Sequence, residues 1–179
     1  FDNHLIGGEL TKFDATRKSQ VESDFDTAEL QGVRARFDSE SRPRVLQEFN
    51  QNELSARLRA FDSSERIAVE QNFDNVLRSQ HEQAFENTER NNAIRRFNET
   101  LLQSAREEYA RTKPDIILSP QDERKREAEF IEGKRNEYLA RAKSDYVESA
   151  RTQFIEAARG QFVESARDQF IEAARDQYV

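Results

Sequence analysis

The sequence predicts an all-α protein of elongated, non-globular helical rods, on three observations. The first is a double aromatic lattice. Phe1, Phe13, Phe25, Phe37, Phe49, Phe61, Phe73, Phe85, Phe97 and Tyr109 stand twelve residues apart, and Phe130, Tyr138, Tyr146, Phe154, Phe162, Phe170 and Tyr178 stand eight apart. With 13 Phe, 4 Tyr and no Trp in the chain, every aromatic lies on one lattice or the other. Internal periodicity of this kind decides the architecture ahead of local signals. The second observation is the Ala, Glu, Gln, Arg and Leu content from Phe13 onward, which favours helix. The third is the phase of the eight-residue unit. As a strand its alternate positions would read Phe, Glu, Ala, Asp and Ile, Ala, Arg, Gln, so neither face would be apolar. As a helix it places Glu156 with Arg159, Glu164 with Arg167 and Glu172 with Arg175 as i, i+3 partners. The alternative is a largely extended array of motifs ordered by a partner lattice, since twelve extended residues span about 40 Å and eight about 26 Å.

Residues 1–12 hold Gly7 and Gly8 and are expected to be irregular. Residues 13–112 form the twelve-residue region. Each aromatic there is followed by an acid or an amide (Asp14, Asp26, Asp38, Asn50, Asp62, Asp74, Glu86, Asn98), and only Ala110 departs from this. Asp26 with Glu29, Asn50 with Glu53 and Asp62 with Glu65 fit a capping box, which would restart a short helix every twelve residues. Most repeats end without a Gly or Pro stop, which favours longer helices. Pro43 predicts a break or kink near 41–43, because it removes an amide and crowds the preceding turn. Beyond it, 44–112 can run as one helix of about 100 Å.

Residues 113–120, KPDIILSP, form the linker. Pro114 stops one helix; Ser119 is the expected N-cap of the next, with Pro120 at its first position. Ile116, Ile117 and Leu118, the most apolar run, are expected to pack where the two rods meet. Residues 121–179 carry the octads, with Ala at the fifth position in Ala142, Ala150, Ala158, Ala166 and Ala174. A row of every fourth residue drifts about 40° per step around a helix and completes a circuit in roughly 36 residues. One partner helix is not expected to stay on such a row, so several neighbours are expected to share it. In the twelve-residue region successive rings are expected about 120° apart and about 18 Å along the axis.

The composition excludes several function classes. Charged residues and hydrophobic residues each make up 35 % of the chain, and mean hydropathy is −0.99. Thinly spread apolar residues give no segment a private core. The net charge of −7 comes from interleaved acids and bases, with no basic face for nucleic acid. No run approaches the roughly 20 apolar residues of a membrane span, and the rotating aromatics deny a membrane-surface helix its single apolar face. The absence of Cys removes disulfides and thiolate metal sites. With no signal-peptide pattern, it slightly favours a cytoplasmic or cytoskeletal location. His4 and His81 are expected to be solvated, since His81-Glu82-Gln83-Ala84-Phe85 lacks the second His of a zinc-protease helix. No catalytic, cofactor or metal residues are expected, and the protein is not expected to be an enzyme. The opening at Phe1 without Met and the in-register ending favour a segment of something longer.

The periods match neither intermediate-filament heptads, nor 11-residue desiccation repeats, nor helical-repeat solenoids. The expected function is therefore structural: a helical rod within or along a filament, sheath or cytoskeletal lattice, in a large assembly with copies of itself or another protein. Its partner-binding residues would be Phe13, Phe25, Phe37, Phe49, Phe61, Phe73, Phe85, Phe97, Tyr109, Phe130, Tyr138, Tyr146, Phe154, Phe162, Phe170 and Tyr178. The alternative is a molecular ruler or adaptor that binds repeated copies of another protein through Phe–Asp motifs.

Overall fold

The computed structural model describes the backbone of residues 2–178 and the side chains of residues 14–178. It is all-α, and no strand occurs among the described residues. The helices are α1 (Asp2–Arg36), α2 (Arg42–Glu48), α3 (Leu54–Ala60), α4 (Arg66–Asn72), α5 (Arg78–Ala84), α6 (Arg90–Thr100), α7 (Leu102–Thr112) and α8 (Pro120–Tyr178). The chain divides into two compact units, residues 1–61 with 161–179, and residues 62–160.

Residues 2–12, expected to be irregular, are the first turns of α1. A helix tolerates Gly at a cost of about 1 kcal/mol per residue, and the remaining residues of α1 carry it. Between Arg36 and Arg90 the backbone alternates with a period of twelve. Seven-residue α segments are separated by five-residue π-helical turns at Phe37–Ser41, Phe49–Glu53, Phe61–Glu65, Phe73–Leu77 and Phe85–Glu89. Each begins on the lattice aromatic. The fifth residue of each repeat is opened: φ is −100° at Ser41, −103° at Glu53, −102° at Glu65, −98° at Leu77, −99° at Glu89 and −118° at Leu101.

The π turn corrects two expectations. The acids after each ring are not N-caps, for no side-chain cap bond forms at the α segments that follow. The helix is widened every twelve residues rather than restarted. The break expected at Pro43 is also absent: Pro43 lies in the first turn of α2, directly after the π turn that ends at Ser41. A widened turn already forgoes the α hydrogen bond that proline removes.

Widening also changes where the rings point. A π bulge inserts one residue into an α-helix, so twelve residues complete about the rotation of eleven. Eleven residues make about three turns, leaving a drift of about 20° instead of 120°. Successive rings therefore return to nearly one face of the arm.

In the unit of residues 62–160 the arm turns back at 113–119. Ile116 N–H donates to Pro114 O at 2.8 Å, closing a tight turn, and Lys113 Nζ pairs with Glu123 Oε1 at 2.8 Å. Ser119 Oγ accepts the Asp122 amide at 3.2 Å, and Pro120 opens α8, as the sequence indicates. Ile116 and Ile117 do not pack between the helices: Ile117 is 102 % exposed. The turn is short, and the buried contacts lie on either side of it. Phe97, Ala105 and Ile131 form one core cluster, and Phe85, Ala93 and Leu139 another. In the unit of residues 1–61 with 161–179, Phe37, Val45 and Ile171 form the core, with Leu46, Phe170 and Ala174 against it.

Candidate functional site

The lattice aromatics meet one another. In the unit of residues 62–160, Phe73 faces Phe154 with centroids 5.8 Å apart, Phe85 faces Tyr146 at 5.9 Å, Phe97 faces Tyr138 at 5.8 Å, and Tyr109 faces Phe130 at 5.6 Å. In the other unit, Phe37 faces Tyr178 at 5.6 Å, Phe49 faces Phe170 at 5.7 Å and Phe61 faces Phe162 at 5.8 Å. All seven pairs are tilted by about 45–60°, within the range aromatic rings prefer. Each twelve-residue step back along the arm is matched by one eight-residue step forward along α8. Within each unit the octad rings face one partner inside the chain, its own arm.

Elementary geometry accounts for twelve against eight. An octad advances α8 by about 12 Å and its ring by about 80°. A widened twelve-residue unit advances about 16.5 Å, the rise of eleven α residues. An arm that meets each octad in turn must therefore run obliquely, by roughly 40°. Its sideways displacement is then about 11 Å per repeat. At the usual interaxial distance of 8–10 Å this is an angle of about 70° around α8, close to the drift of the octad row. Within each unit the arm therefore keeps to that row as it drifts.

The two sides of the ladder are not equivalent. The rings of the arm, residues 37–112, that face α8 are buried, with Phe37 at 1 % and Phe73 at 0 % exposure. The α8 rings are half-buried, except the exposed Tyr178. The deeper α8 positions are the residues after each ring: Ile131, Leu139, Val147, Ile155 and Ile171. Sequence reasoning missed these five. The invariable aliphatic at octad position two, beside an aromatic, was the available signal.

The acid after each arm ring has a partner on α8. Asp38 Oδ1 lies 3.3 Å from Arg175 Nη2 in one unit. In the other, Asp62 Oδ2 lies 3.5 Å from Arg159 Nη2, Asp74 Oδ1 lies 3.5 Å from Arg151 Nε, and Glu86 Oε1 lies 3.0 Å from Lys143 Nζ. Each of these cations stands three residues before the ring that faces the same arm unit. A two-residue head, ring then acid, is thus read by Arg/Lys-x-x-Phe/Tyr. Arg175 also lies over Phe37, and Arg135 over Phe97, at 5.8 and 6.0 Å from the ring centroids. The expected i, i+3 pairs are present too, with Glu172 and Arg175 at 2.6 Å, Glu164 and Arg167 at 3.0 Å, and Glu156 and Arg159 at 3.8 Å.

Further charges tie the arms within the unit of residues 62–160. Lys134 Nζ meets Glu108 Oε1 at 2.7 Å, a hydrogen bond that raises the lysine's pKa. Arg151 Nη2 meets Glu70 Oε2 at 3.2 Å. The hydrogen bond from Arg66 Nε at 2.8 Å, outweighing burial and aided by Arg151, holds the Glu70 carboxyl below its ordinary value. Partly exposed pairs of this kind contribute little each and serve chiefly to fix register.

His81, expected in solvent, stacks on Phe73 at 5.5 Å and 20° and lies 6.4 Å from Tyr146. Its place eight residues after a lattice ring puts it on the arm's buried edge. His4 and the side chains of Phe1 and Phe13 fall outside the described side chains. Phe25 is 66 % exposed. Among the described residues no cluster of three or more His, Cys, Asp or Glu is placed to hold a metal, and no helix is long and apolar enough to cross a membrane.

No family model, curated protein or solved structure matches the chain.

Proposed function

We propose that this chain is a structural, non-enzymatic repeat protein: a helical rod that packs within or along a filament, sheath or cytoskeletal lattice. The observation that carries the reading is the ring pairs, four in one unit and three in the other, that share one twelve-for-eight sequence register. It is a modular packing rule, in which one arm repeat plus one octad adds one identical step. Seven buried arm rings at roughly 1.5–3 kcal/mol each are ample to hold two arms together. Neighbouring molecules would then meet surface features that recur at the same interval. The ruler reading has less support, because the Phe–Asp heads from Phe37 onward are engaged within the chain.

The test is sedimentation and electron microscopy of the full chain over a wide concentration range, beside a variant lacking both 61–72 and 154–161. Regular assemblies are expected, with an axial repeat shorter by about 12 Å in the variant. A single-chain species at every concentration would sink the proposal.

A further inference from the structure

Phe25–Asp26 is a ring–acid head of the kind that α8 reads elsewhere, and among the described residues nothing reads it. Its repeat carries the same apolar set at the same spacing as the engaged ones. Leu30 corresponds to Leu54, and Val33 to the buried Val45. Yet Val21, Phe25 and Leu30 are 59 %, 66 % and 44 % exposed. The backbone differs in step. Every head from Phe37 to Phe85 opens a π turn against α8, whereas Phe25–Glu29 lies in unbroken α-helix. Helical rotation over twelve α residues sets Phe25 about 120° away from Phe37, off the line of the engaged rings. The sequence pattern of the repeat nevertheless continues that of an interface already built.

We propose that α1 around Phe25 docks a further helix that carries the octad pattern. That helix supplies Arg-x-x-Phe/Tyr, with an aliphatic residue directly after the ring, and runs antiparallel to α1. Three features specify this occupant. The exposed ring requires an aromatic opposite it, as Tyr178 stands to Phe37. Asp26 requires a cation three residues before that aromatic, as Arg175 stands to Asp38. The α-to-π change that brings Phe25 into line follows from the twelve-for-eight register, which only an eight-residue repeat satisfies. The octads from Phe130 to Tyr178, of this chain or of a second copy, are the poorer occupant, because the arm already engages them. Binding of a single helix does not depend on the assembly reading and can succeed where that fails.

The experiment titrates the full chain with a synthetic peptide of three octads, FIEAARGQFVESARDQFIEAARDQY, and follows binding by calorimetry and amide exchange. Saturable one-to-one binding is expected, with altered protection of the amides at 29–31. Phe25→Ala is expected to weaken binding at least tenfold. Asp26→Arg is expected to abolish it, and a peptide with its arginines replaced by glutamate is expected to restore it to that variant. Circular dichroism and melting of both variants, unchanged because the side chains are exposed, separate lost docking from lost folding. Three outcomes overturn the proposal: no binding to the wild-type chain, binding indifferent to both substitutions, or concentration-dependent self-association without peptide that Phe25→Ala removes.

Discussion

A phenylalanine in the arm and a phenylalanine in α8 are the same residue type with unequal burdens. Phe73 is 0 % exposed, between Phe154 and His81, while Phe154 is half-buried. Phe73→Ala should cost about 3–5 kcal/mol, the range for a fully buried aromatic, and Phe154→Ala clearly less. Urea unfolding of the two variants measures the difference, and equal losses would contradict the asymmetry. Glu70 provides a pH signature. Its folded pKa lies below the ordinary 4.5 because of Arg66 first and Arg151 also. Its stabilisation is therefore full above the ordinary carboxylate range and is lost as pH falls through the folded value. Glu70→Gln should lower the melting temperature at pH 7, and the gap to the wild type should close on acidification. The rings themselves were legible in the sequence, since aromatics on a fixed period mark a row of packing contacts. The acids beside them fit a local capping pattern, and their partners on α8 were not legible. A cap is a local inference, whereas their partners lie far along the chain, Asp74 with Arg151 at 3.5 Å and Asp38 with Arg175 at 3.3 Å among them.

The elements differ in how they absorb their repeat. α8 takes eight residues as plain α-helix and lets its row drift; the arm takes twelve and cancels the drift with a π turn. That turn was not legible, because helix-favouring composition is the same for α and π geometry. The arithmetic of one residue beyond three turns was its only trace. Deleting Asn75 from the Phe73–Leu77 turn should therefore lower the urea midpoint little, since eleven plain α residues keep the flanking heads within the same drift of about 20°, whereas inserting one residue there rotates them apart by about 100° and should lower it clearly. In α8, Gly133 and Gly160 face open space: a methyl group added at either would meet nothing within 4 Å. Gly133→Ala and Gly160→Ala should each stabilise the helix by about 1 kcal/mol, seen as a raised midpoint in thermal melts. A fall at either site would mean that its backbone is needed for a close approach.

At the scale of the whole molecule, the register ties the two series together. Removing the octad 154–161 alone slides Phe73 onto Phe162, Phe61 onto Phe170 and Phe49 onto Tyr178, and leaves Phe37 without a partner. Removing the arm repeat 61–72 as well sets Phe73 against Phe162 and leaves the other pairs as they were. The single deletion should release the arm repeat that begins at Phe37, and the double deletion should keep it folded. Amide exchange at 37–48 distinguishes the two, and equal protection there would refute a shared register. All-α character and the non-helical turn between α7 and α8 were readable from propensity and from two prolines. That the two lattices belong to each other was not, because unequal periods look unrelated until one series is inclined to the other.

The unequal steps also constrain how such a gene changes length. A tandem duplication in either half, taken alone, adds rungs with no counterpart and shifts all those beyond. Growth is neutral only when an insertion in the first half is accompanied by one two-thirds as long in the second. A gene under that rule lengthens and shortens by paired events, and the difference in copy number between its two halves stays constant while their codons drift apart.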